Sequence, residues 1–457
     1  MVTTRYYIYY KLEENKYILL NTLSGAIDIV EKNIIQYLKN PSKVDINKDF
    51  VVALKERGYI ISKNEDLDKI KDLIKNAKYK SKTGTFVICP TYMCNLRCKY
   101  CFEGIGTRTK SKVLEEKDVD KIFKAIEEVC SEKDIKKPQI LLYGGEPFLP
   151  STKDIVSYIL KKSRNKGYFV SAISNSTHLY QYKDELNEYK NTIKSIQVTI
   201  DGSKNIHNKY RVKVDGSGTF DEITKSVDLL LAIGIRVNLR INTGKNNVKY
   251  LSNVLEFIEQ KKWNISPLFK CQIAPITDHF CTFNLPNWMP ESELLKEIYA
   301  AVEDVEKTKE KFHMSLGKDI EIRTSLLRSI WREKKKKVIN PQPCAAGKRK
   351  YYIFGAEGNI YPCPETVGME EYAIGRYLPS LKLDQEAEKL WERDITNIDK
   401  CRECSIAPIC GTGCTWACIA TNGKNFKEPV CNFARETIDS YFELNKHKIL
   451  KLCKNSK

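Results

Sequence analysis

Hydrophobic and polar positions between residues 84 and 275 alternate between two periods, and this pattern predicts repeated strand–helix units. Short apolar runs with strand character occur at residues 86–88, 140–143, 168–170, 196–200, 235–241 and 268–273. Helical spacing of apolar positions is clearest at residues 119–130, 154–162, 221–233 and 248–258. Six such units without an antiparallel signal favour an α/β fold with a parallel, barrel-like sheet, and periodicity alone leaves an open doubly wound sheet as the alternative. In a barrel, the chemistry lies on the loops that follow the strands.

The first 80 residues predict a separate small α/β module. Residues 6–10 and 16–20 form a predicted hairpin, and Ser24 is a candidate cap for a helix over residues 24–38. A second helix is predicted at residues 50–57, a short strand at 59–61, and a lysine-rich helical connector at 67–80. This order of elements resembles a winged-helix module. We expect residues 81–275 to form the barrel, 276–340 a helical bridge, and 341–457 a loop-rich, cysteine-dense domain.

Composition and charge exclude several classes of protein. The chain has 457 residues, and no stretch reaches the roughly 20 consecutive apolar residues that a membrane span requires. Its first residues lack the apolar core of an export signal, so we expect a cytoplasmic protein. The net charge of +18 comes from scattered lysines, with one dense run at residues 334–337, and gives only a bias toward an acidic ligand.

Cysteine is the most informative residue type. Sixteen cysteines in a chain that is expected to stay in a reducing compartment indicate metal or redox chemistry rather than disulfides. Cys94, Cys98 and Cys101 form a CxxxCxxC run directly after the first predicted barrel strand. Three thiolates on one loop can hold a four-iron cluster and leave one iron open to a small molecule. Structural zinc, the main alternative, normally takes four protein ligands.

This run resembles the signature of the radical S-adenosylmethionine (SAM) superfamily. The resemblance implies a partial (β/α)6 TIM-like barrel and a [4Fe–4S] cluster whose open iron binds SAM. It also implies reductive cleavage of SAM to a 5′-deoxyadenosyl radical, which abstracts a substrate hydrogen, and an electron donor such as flavodoxin or ferredoxin. The cofactor supplies the difficult chemistry, and the protein orients it.

Further residues fit this resemblance at the ends of the predicted strands. Gly144, Gly145, Glu146 and Pro147 look like the family's GGEP turn, in which Glu146 is expected to bind the SAM ammonium group. The other polar residues that the resemblance places near SAM are Tyr100, Ser174, Asn175, Asp201, Arg240 and Asn242. His207, Asn208 and Arg211 look like the HxxxR stretch of the family's peptide-modifying branch. Each of these strand-end residues could instead have a purely structural role.

A second group of cysteines is similar to the SPASM domain, the C-terminal extension of radical SAM enzymes that act on peptides and proteins. Its members are Cys344, Cys363, Cys401, Cys404, Cys410, Cys414 and Cys431. The resemblance implies two auxiliary [4Fe–4S] clusters, and therefore three clusters in all. One auxiliary cluster would take the four ligands Cys401, Cys404, Cys410 and Cys431.

The other auxiliary cluster would take only Cys344, Cys363 and Cys414. An open iron there could bind a substrate thiolate for C–S bond formation. Alternatively, a fourth ligand could come from Cys418, Cys281, Cys271 or a group other than cysteine. Pro364 also departs from the sulfatase-maturating branch, where an acidic residue follows the equivalent of Cys363 and acts as a base. Oxidation to formylglycine is therefore disfavoured.

The sequence predicts a radical SAM maturase that installs thioether cross-links in a ribosomally made precursor peptide, of the sactipeptide type. The N-terminal module resembles the leader-recognition element of such enzymes, which adds the leader peptide to its sheet as a strand. The same-class alternative is carbon–carbon or carbon–oxygen cross-linking. An iron–sulfur redox sensor that binds DNA through the N-terminal module is the alternative from another class, although Lys32 is the only cation of the predicted helix at residues 24–38.

Overall fold

The structure is a computed structural model. It describes residues 1–103, 107, 110–278, 285, 287–329, 344–423, 425–431 and 433–455. The lysine run at residues 334–337 and Cys281, one candidate fourth ligand, lie outside the described residues.

The chain opens with a small antiparallel sheet and several helices. Its strands are β1 Val2–Thr3, β2 Tyr7–Lys11, β3 Lys16–Asn21, β4 Ile27–Glu31 and β5 Ile60–Ile61. Its helices are Lys32–Lys39, Lys48–Glu56 and Glu65–Lys75, followed by the π-helical turn Asn76–Lys80. Strands β2, β3 and β4 form one sheet in that order, and β1 pairs with β5. The predicted hairpin is therefore present as β2 and β3.

The predicted helix over residues 24–38 is wrong in its first half. Residues 27–31 form strand β4, and the helix begins only at Lys32. Gly25 adopts a positive φ of 73°, and the backbone N–H of Asn21 donates to the carbonyl of Ala26, so the chain turns back as a second hairpin. Ser24 does not cap a helix, because its hydroxyl donates to the carbonyl of Arg57.

Six parallel strands form the centre of the molecule, as the sequence predicts. They are β6 Thr83–Ile88, β7 Lys137–Leu142, β8 Phe169–Ile173, β9 Ile193–Thr199, β10 Val237–Thr243 and β11 Phe269–Pro275. Each strand pairs in parallel with the next along the chain. The helices between them are Glu116–Glu132, Lys153–Lys166, Lys183–Glu188, Lys204–Tyr210, Phe220–Ala232 and Leu251–Gln260. Parallel strands that are covered by helices explain the nearly continuous apolar runs.

The sheet extends at both ends and does not close. The added strands are β12 Met314–Ser315, β13 Tyr351–Phe354, β14 Asn359–Tyr361, β15 Gly375–Arg376 and β16 Lys382–Leu383. Strand β12 pairs with β11, and β13 pairs in parallel with β6 before an antiparallel meander through β14, β15 and β16. The result is the expected partial barrel, with the cysteine-dense region joined to the first barrel strand.

Helices dominate the remaining described residues. They are Glu291–Ala301, Val305–Lys311, Lys318–Arg323, Ser325–Arg328, Gln385–Leu390, Asp399–Arg402, Ala407–Cys410, Thr415–Asn422 and Ala434–Asn455. In the expected helical bridge, Glu291–Ala301 and Val305–Lys311 are two separate helices, and Asp304 caps the second by accepting from the backbone N–H groups of Glu306 and Lys307. Within the described part of the chain, none of these helices combines the length and apolarity needed to cross a membrane.

The N-terminal module packs against the cysteine-dense region. Tyr6 and Ile70 share a buried apolar cluster with Ile395, Ile398 and the second-group cysteine Cys401. On the other side of the module, the rings of Tyr10 and Phe442 stack with their centroids 4.3 Å apart, and the Tyr10 hydroxyl donates to Asp439 at 2.6 Å. These contacts place a three-stranded antiparallel sheet beside the predicted auxiliary cysteines.

Candidate active site

The loop after β6 brings Cys94, Cys98 and Cys101 to the wall of one cavity of about 380 Å³. The cavity lies at the carboxyl ends of the parallel strands, where barrel folds carry their chemistry. The backbone N–H of Cys101 donates to the carbonyl of Cys98, so the loop turns tightly between the two thiols. Burial raises the pKa of Cys94 and of Cys101 to about 12. Their thiolate forms therefore need a positively charged partner.

The donor chemistry of this loop fits an iron–sulfur cluster. Three thiols face one cavity, and the side-chain amide of Asn175 lies 3.7 Å from the Cys94 sulfur. Polar hydrogens near cluster sulfurs are one of the protein's means of tuning such a group. Among the described residues, no three His, Cys, Asp or Glu side chains are placed to hold a single metal ion. In an iron–sulfur cube each thiolate binds a different iron, so the sulfurs surround the cluster instead of meeting at one point.

The two glycines after β7 allow the next turn to approach the cysteine loop closely. Gly144 and Gly145 have positive φ values of 90° and 51°. A Cβ atom on Gly145 would lie 2.3 Å from the carbonyl oxygen of Met93, which immediately precedes Cys94. The carbonyl of Met93 also accepts from the backbone N–H of Glu146 at 2.8 Å. The turn is therefore one of the supports that fix the position of the cysteine loop.

The carboxylate of Glu146 is buried and ties this turn to the end of β8. One oxygen accepts from the backbone N–H of Phe148 at 2.9 Å and from the Ser174 hydroxyl at 2.8 Å. The other oxygen accepts from the backbone N–H of Asn175 at 2.5 Å. Burial raises the pKa of Glu146 to about 7. The Glu146 side chain thus orients Ser174 and Asn175, which line the cavity, and its direct role toward the SAM ammonium group stays a prediction.

Of the other residues of the predicted turn, Gly145 lines the main cavity and Gly144 lines a smaller adjacent one. Pro147 contributes a carbonyl that accepts from the Thr152 hydroxyl at 2.7 Å. The turn therefore meets the cavity through its glycines, while its last residue is fixed by a structural hydrogen bond.

Tyr100 is the centre of a buried hydrogen-bond network at the cavity wall. Its hydroxyl donates to Asp201 and accepts from Arg211 at 2.9 Å and from the Asn242 amide at 3.0 Å. The Nε–H of Arg240 donates to the side-chain oxygen Oδ1 of Asn242 at 2.7 Å. Burial is the main reason that the pKa of Asp201 is raised. This network brings together residues that the sequence could place only at separate strand ends.

In the HxxxR stretch, His207 and Asn208 support the local backbone, whereas Arg211 lines the cavity. His207 is fully buried, and its Nδ1 accepts from the backbone N–H of Asp201 at 3.2 Å. Burial lowers the pKa of His207 to about 3, so its ring is neutral. The Asn208 side chain accepts from the backbone N–H groups of Thr219 and Phe220, which is a structural role. Arg211 alone reaches the cavity wall.

A second cavity of about 360 Å³ lies beside the first, and it is lined by Cys344, Cys410 and Cys414. Arg240, Pro275 and Thr277 line both cavities. The charges of Cys344 and Cys414 both raise the pKa of the buried Cys363 thiol, as does Glu365, after the larger effect of burial. These mutual effects place the three cysteines of the incomplete auxiliary set near one another.

The four cysteines of the complete set are also close together. The pKa of Cys401 is raised to about 12 by burial and then by the charges of Cys410, Cys431 and Cys404. Cys401 and Cys410 lie on the short helices Asp399–Arg402 and Ala407–Cys410. The structure thus places members of each predicted auxiliary set near one another, and Cys410 of the complete set lines the same cavity as Cys344 and Cys414.

The candidate fourth ligands Cys271 and Cys418 differ in their contacts with the incomplete set. Cys271 is buried within strand β11, and burial alone raises its pKa to about 12, with no neighbouring charge among the causes. The Cys418 thiol donates to the Cys414 carbonyl at 3.2 Å, and its charge acts on Cys431 of the complete set. The hydroxyl of Thr415 lies 3.6 Å from the Cys344 sulfur. Thr415 is therefore one group other than cysteine that contacts a thiol of this set.

The sequence did not reveal an acidic pair that lines the first cavity. Glu103 and Glu365 both line it, together with Tyr143 and the cluster cysteines. Burial and the charges of Glu146 and Glu365 raise the pKa of Glu103 to about 7. Pro364 directly follows Cys363, and the acidic residue that lines the cavity is one position further along the chain. A wider search after Cys363 could have found it.

Residues 88–258 match the model of the radical SAM superfamily, and this range contains the CxxxCxxC loop, the glycine turn and the strand-end network. The chain carries a radical SAM domain. A cysteine-type anaerobic sulfatase-maturating enzyme of Clostridium novyi is 24% identical over 374 residues, which are 76% of this chain and 89% of that protein. An uncharacterised protein of Archaeoglobus fulgidus is 23% identical over 407 residues, 86% of this chain and 92% of that protein. The chain is thus a radical SAM enzyme, as the sequence predicts.

Two solved structures share the fold over most of this chain. The structure of anSMEcpe with bound AdoMet and a peptide aligns with a TM-score of 0.60 at 18% identity and covers 81% of this chain and 99% of that chain. Streptococcus suis SuiB bound to its precursor peptide SuiA aligns with a TM-score of 0.53 at 15% identity and covers 94% of this chain and 99% of that chain. At these identities the likeness establishes the fold.

Proposed function

We propose that this radical SAM enzyme modifies a ribosomally made precursor peptide by linking a cysteine sulfur to a carbon atom. The observation that carries the proposal is that the two cavities are neighbours and share the lining residues Arg240, Pro275 and Thr277. One cavity is lined by Cys94, Cys98 and Cys101, and the other by Cys344 and Cys414 together with Cys410 of the complete set. A peptide that spans both would place a C–H bond beside the first set of cysteines and a thiol beside the second.

The residues present fit a cluster and SAM in the first cavity. Cys94, Cys98 and Cys101 would hold the cluster, while Tyr100 and Arg240 would position SAM against it. When bound, SAM and the reduced cluster supply a radical that removes one hydrogen atom from the substrate carbon. In the proposed reaction the thiol loses a proton, a C–S bond forms, and one electron is left over. The two auxiliary sets of cysteines are suited to hold clusters that accept this electron.

The incomplete auxiliary set is suited to hold the substrate thiolate. Cys344 and Cys414 line the second cavity, and Cys363 lies near both. Three thiolates leave one iron of a four-iron cluster without a cysteine ligand. A substrate thiolate could occupy that position in competition with two protein groups, namely Cys418, whose thiol donates to the Cys414 carbonyl, and Thr415, whose hydroxyl lies 3.6 Å from the Cys344 sulfur.

We further propose that the N-terminal module binds the leader segment of the peptide along β4. This strand is an edge of the three-stranded sheet, and Ile29 on it is half exposed. Peptides can extend such an edge by backbone hydrogen bonds. Ion pairs and stacking hold the module against the C-terminal region, so a leader bound there would be tethered to the catalytic body.

A second candidate function is oxidation of a cysteine to formylglycine. The position of Glu365 in the first cavity supports it, because a carboxylate there could take the proton of the substrate. The relative in Clostridium novyi is a cysteine-type sulfatase-maturating enzyme. Carbon–carbon or carbon–oxygen cross-linking is the remaining alternative within the same chemistry.

The experiment that separates these functions uses the anaerobically reconstituted enzyme with SAM, a reductant and a cysteine-bearing precursor peptide. Thioether formation predicts 5′-deoxyadenosine and a peptide that is lighter by two hydrogens per link and whose linked cysteine resists alkylation. A product that reacts with a hydroxylamine probe would reveal an aldehyde and favour formylglycine. A lighter product whose cysteines all remain open to alkylation would favour carbon–carbon or carbon–oxygen links.

Two variants connect the product to the proposed sites. Cys98→Ala should abolish release of 5′-deoxyadenosine, whereas Cys130→Ala, on the helix Glu116–Glu132, should leave it unchanged. Cys344→Ala should still cleave SAM but form no link. If Cys98→Ala keeps the activity of the unaltered enzyme, the proposal is wrong.

A further inference from the structure

One carboxylate joins the segment before the first cysteine set to the segment before Cys363. The hydroxyl of Tyr92 donates to one oxygen of Glu357, and the hydroxyl of Tyr361 donates to the other. Tyr92 stands two residues before Cys94, and Tyr361 stands two residues before Cys363. Glu357 therefore connects the approach to the first set with the approach to the incomplete auxiliary set.

The strand pairing beneath this bridge ends before either cysteine is reached. Strand β13 pairs in parallel with β6 as far as Phe354 beside Ile88, and the backbone N–H of Cys89 then donates to the Phe354 carbonyl. Beyond this point the chain of β6 continues as a loop to Cys94, whereas that of β13 turns back into β14. The bridge at Glu357 thus connects the two segments where the sheet no longer does.

The neighbouring groups pack closely around the bridge. The backbone N–H of Ala356 donates to the Tyr92 hydroxyl at 3.1 Å. A side chain at Gly355 has no room, because its Cβ would lie 2.3 Å from the Tyr92 hydroxyl oxygen. Both Tyr92 and Tyr361 are buried. Removing their shared acceptor therefore leaves two hydroxyls without a bond in a place that water does not reach, which costs more than the loss of an exposed hydrogen bond.

A lysine adds a second connection between the same two regions. Lys110 follows the cysteine loop, and its Nζ lies 3.8 Å from the Glu357 carboxylate and donates to the carbonyl of Gly368 at 2.7 Å. Gly368 lies five residues after Cys363. Lys110 is partly exposed, so its ion pair contributes little by itself. The two buried tyrosines provide most of the connection.

The residues after Cys363 form part of the first cavity. Pro364 and Glu365 line it, together with Tyr351 of β13. A shift of this segment would therefore change a wall of the first cavity and the position of Cys363 at the same time. In the proposed function the substrate carbon lies at the first set and the substrate thiol at the incomplete set, so the reaction requires a fixed separation of the two.

We propose that Glu357 is a positioning residue that fixes the separation between the first cysteine set and Cys363, and so couples SAM cleavage to formation of the C–S bond. The inference rests on the proposed function. Glu357 acts through Tyr92 and Tyr361 and lines neither cavity. Without its carboxylate, SAM cleavage continues because the three cysteines of the first set lie on one loop, but fewer cleavage events produce a link.

Hydrogen–deuterium exchange of the anaerobically reconstituted full-length enzyme, without SAM or peptide, tests whether Glu357 holds the cysteine loop. Glutamine retains one oxygen and replaces the other with an amide nitrogen, which cannot accept from the second tyrosine. In Glu357→Gln the amides of residues 93–96 should therefore exchange about tenfold faster, as expected when a buried hydrogen bond to a charged group is lost. The iron content should stay the same.

The same variant, with SAM, a reductant and a cysteine-bearing precursor peptide, tests the coupling. Each link uses one SAM in the proposed reaction. In Glu357→Gln the ratio of 5′-deoxyadenosine released to links formed should rise at least about tenfold, because small displacements of reacting groups lower a rate steeply. A purely structural role would lower iron content, SAM cleavage and link formation together and leave this ratio unchanged.

Glu388→Gln is the matched control. Glu388 is also buried and also joins a tyrosine to the barrel, since it accepts from the Tyr352 hydroxyl at 3.0 Å and pairs with Lys133 at 3.3 Å. Lys133 precedes β7, so this bridge lies at the end of the strands opposite the cysteines. Glu388→Gln should lower the unfolding midpoint but change neither the exchange of residues 93–96 nor the ratio. Equal effects of the two variants would overturn the inference.

Tyr361→Phe covers the case in which Glu357→Gln does not fold. It removes only the hydroxyl on the auxiliary side, yet residues 93–96 on the other side should exchange faster and the ratio should rise. In a folded variant, unchanged exchange refutes the inference, and so does faster exchange with an unchanged ratio. If the unaltered enzyme cleaves SAM but forms no C–S link, the proposed function fails instead, and the exchange measurement still decides whether Glu357 holds the loop.

Discussion

Gly145 provides the sharpest test of how the cysteine loop is held. In Gly145→Ala the new Cβ would lie 2.3 Å from the carbonyl oxygen of Met93 and 2.6 Å from that of Tyr92. Both neighbours are backbone atoms, so no side-chain rotation can relieve the contact, and the turn or the cysteine loop must move. The residue also has a φ of 51°, which a side chain makes unfavourable.

The two contributions can be separated with a matched variant. Gly167 ends the helix Lys153–Lys166 with a φ of 69°, and a Cβ there meets nothing within 4 Å. Gly167→Ala should therefore cost only the backbone term of about 1–2 kcal/mol. Gly145→Ala should cost this amount plus about 1–3 kcal/mol for the overpacked contact. It should also displace Met93 and with it the position of Cys94.

Two assays measure these effects on stability and on the cysteine loop. Thermal unfolding of the cluster-free protein should give a lower midpoint for Gly145→Ala than for Gly167→Ala. After anaerobic reconstitution, Gly145→Ala should bind less iron than the unaltered enzyme, and Gly167→Ala should bind the same amount. If the two variants have equal midpoints and equal iron content, the glycine turn does not support the cysteine loop and this reasoning is wrong.

Three further predictions follow from other buried contacts. Tyr100→Phe removes the hydroxyl that links Asp201 to Arg211, so the free energy of unfolding should fall by about 1–3 kcal/mol. SAM binding, measured by calorimetry, should also weaken. Unchanged binding would show that this network is not part of the SAM site. His207 stays neutral in the fold with a pKa of about 3, so below about pH 6.5 the unfolded chain binds a proton that the folded chain does not. The difference in the free energy of unfolding between the unaltered enzyme and His207→Asn, measured by urea unfolding, should therefore fall by about 1.4 kcal/mol per pH unit on acidification. A difference that does not change with pH would contradict a neutral, buried His207. Tyr10→Ala removes the ring that stacks on Phe442, so the interface of the N-terminal module should lose about 3–5 kcal/mol of stability. Limited proteolysis should then release the module faster. An unaltered cleavage rate would show that other contacts hold the module.

The alternation of periods in the sequence was sufficient to predict the barrel strands. Their apolar runs are buried by helices, and this burial leaves a local pattern that can be read without the structure. The same reasoning failed at residues 27–31, where Ile27 and Val30 fit a helical spacing but form a strand. Gly25 was the available sign of a hairpin turn, and its left-handed backbone breaks the predicted helix.

The site residues differ in how far apart in the sequence they lie from the groups that they contact. Cys94, Cys98 and Cys101 lie on one loop, so their spacing alone predicts that they meet. Glu365 and Arg393 carry no motif, because each acquires its position from a fold that brings distant segments together. Single-sequence reasoning could not rank them above the many other charged residues.

The sequence by itself determined the six barrel strands, the first cysteine set and the presence of the glycine turn, because each depends on residues that are near one another in the chain. Only the tertiary structure decided that two cavities share a wall at Arg240, that Glu365 lines the first of them, and that Arg393 donates to the carbonyl of Cys414. Those relations join segments through packing, and the charge on each cysteine set depends on distances that no spacing in the sequence records.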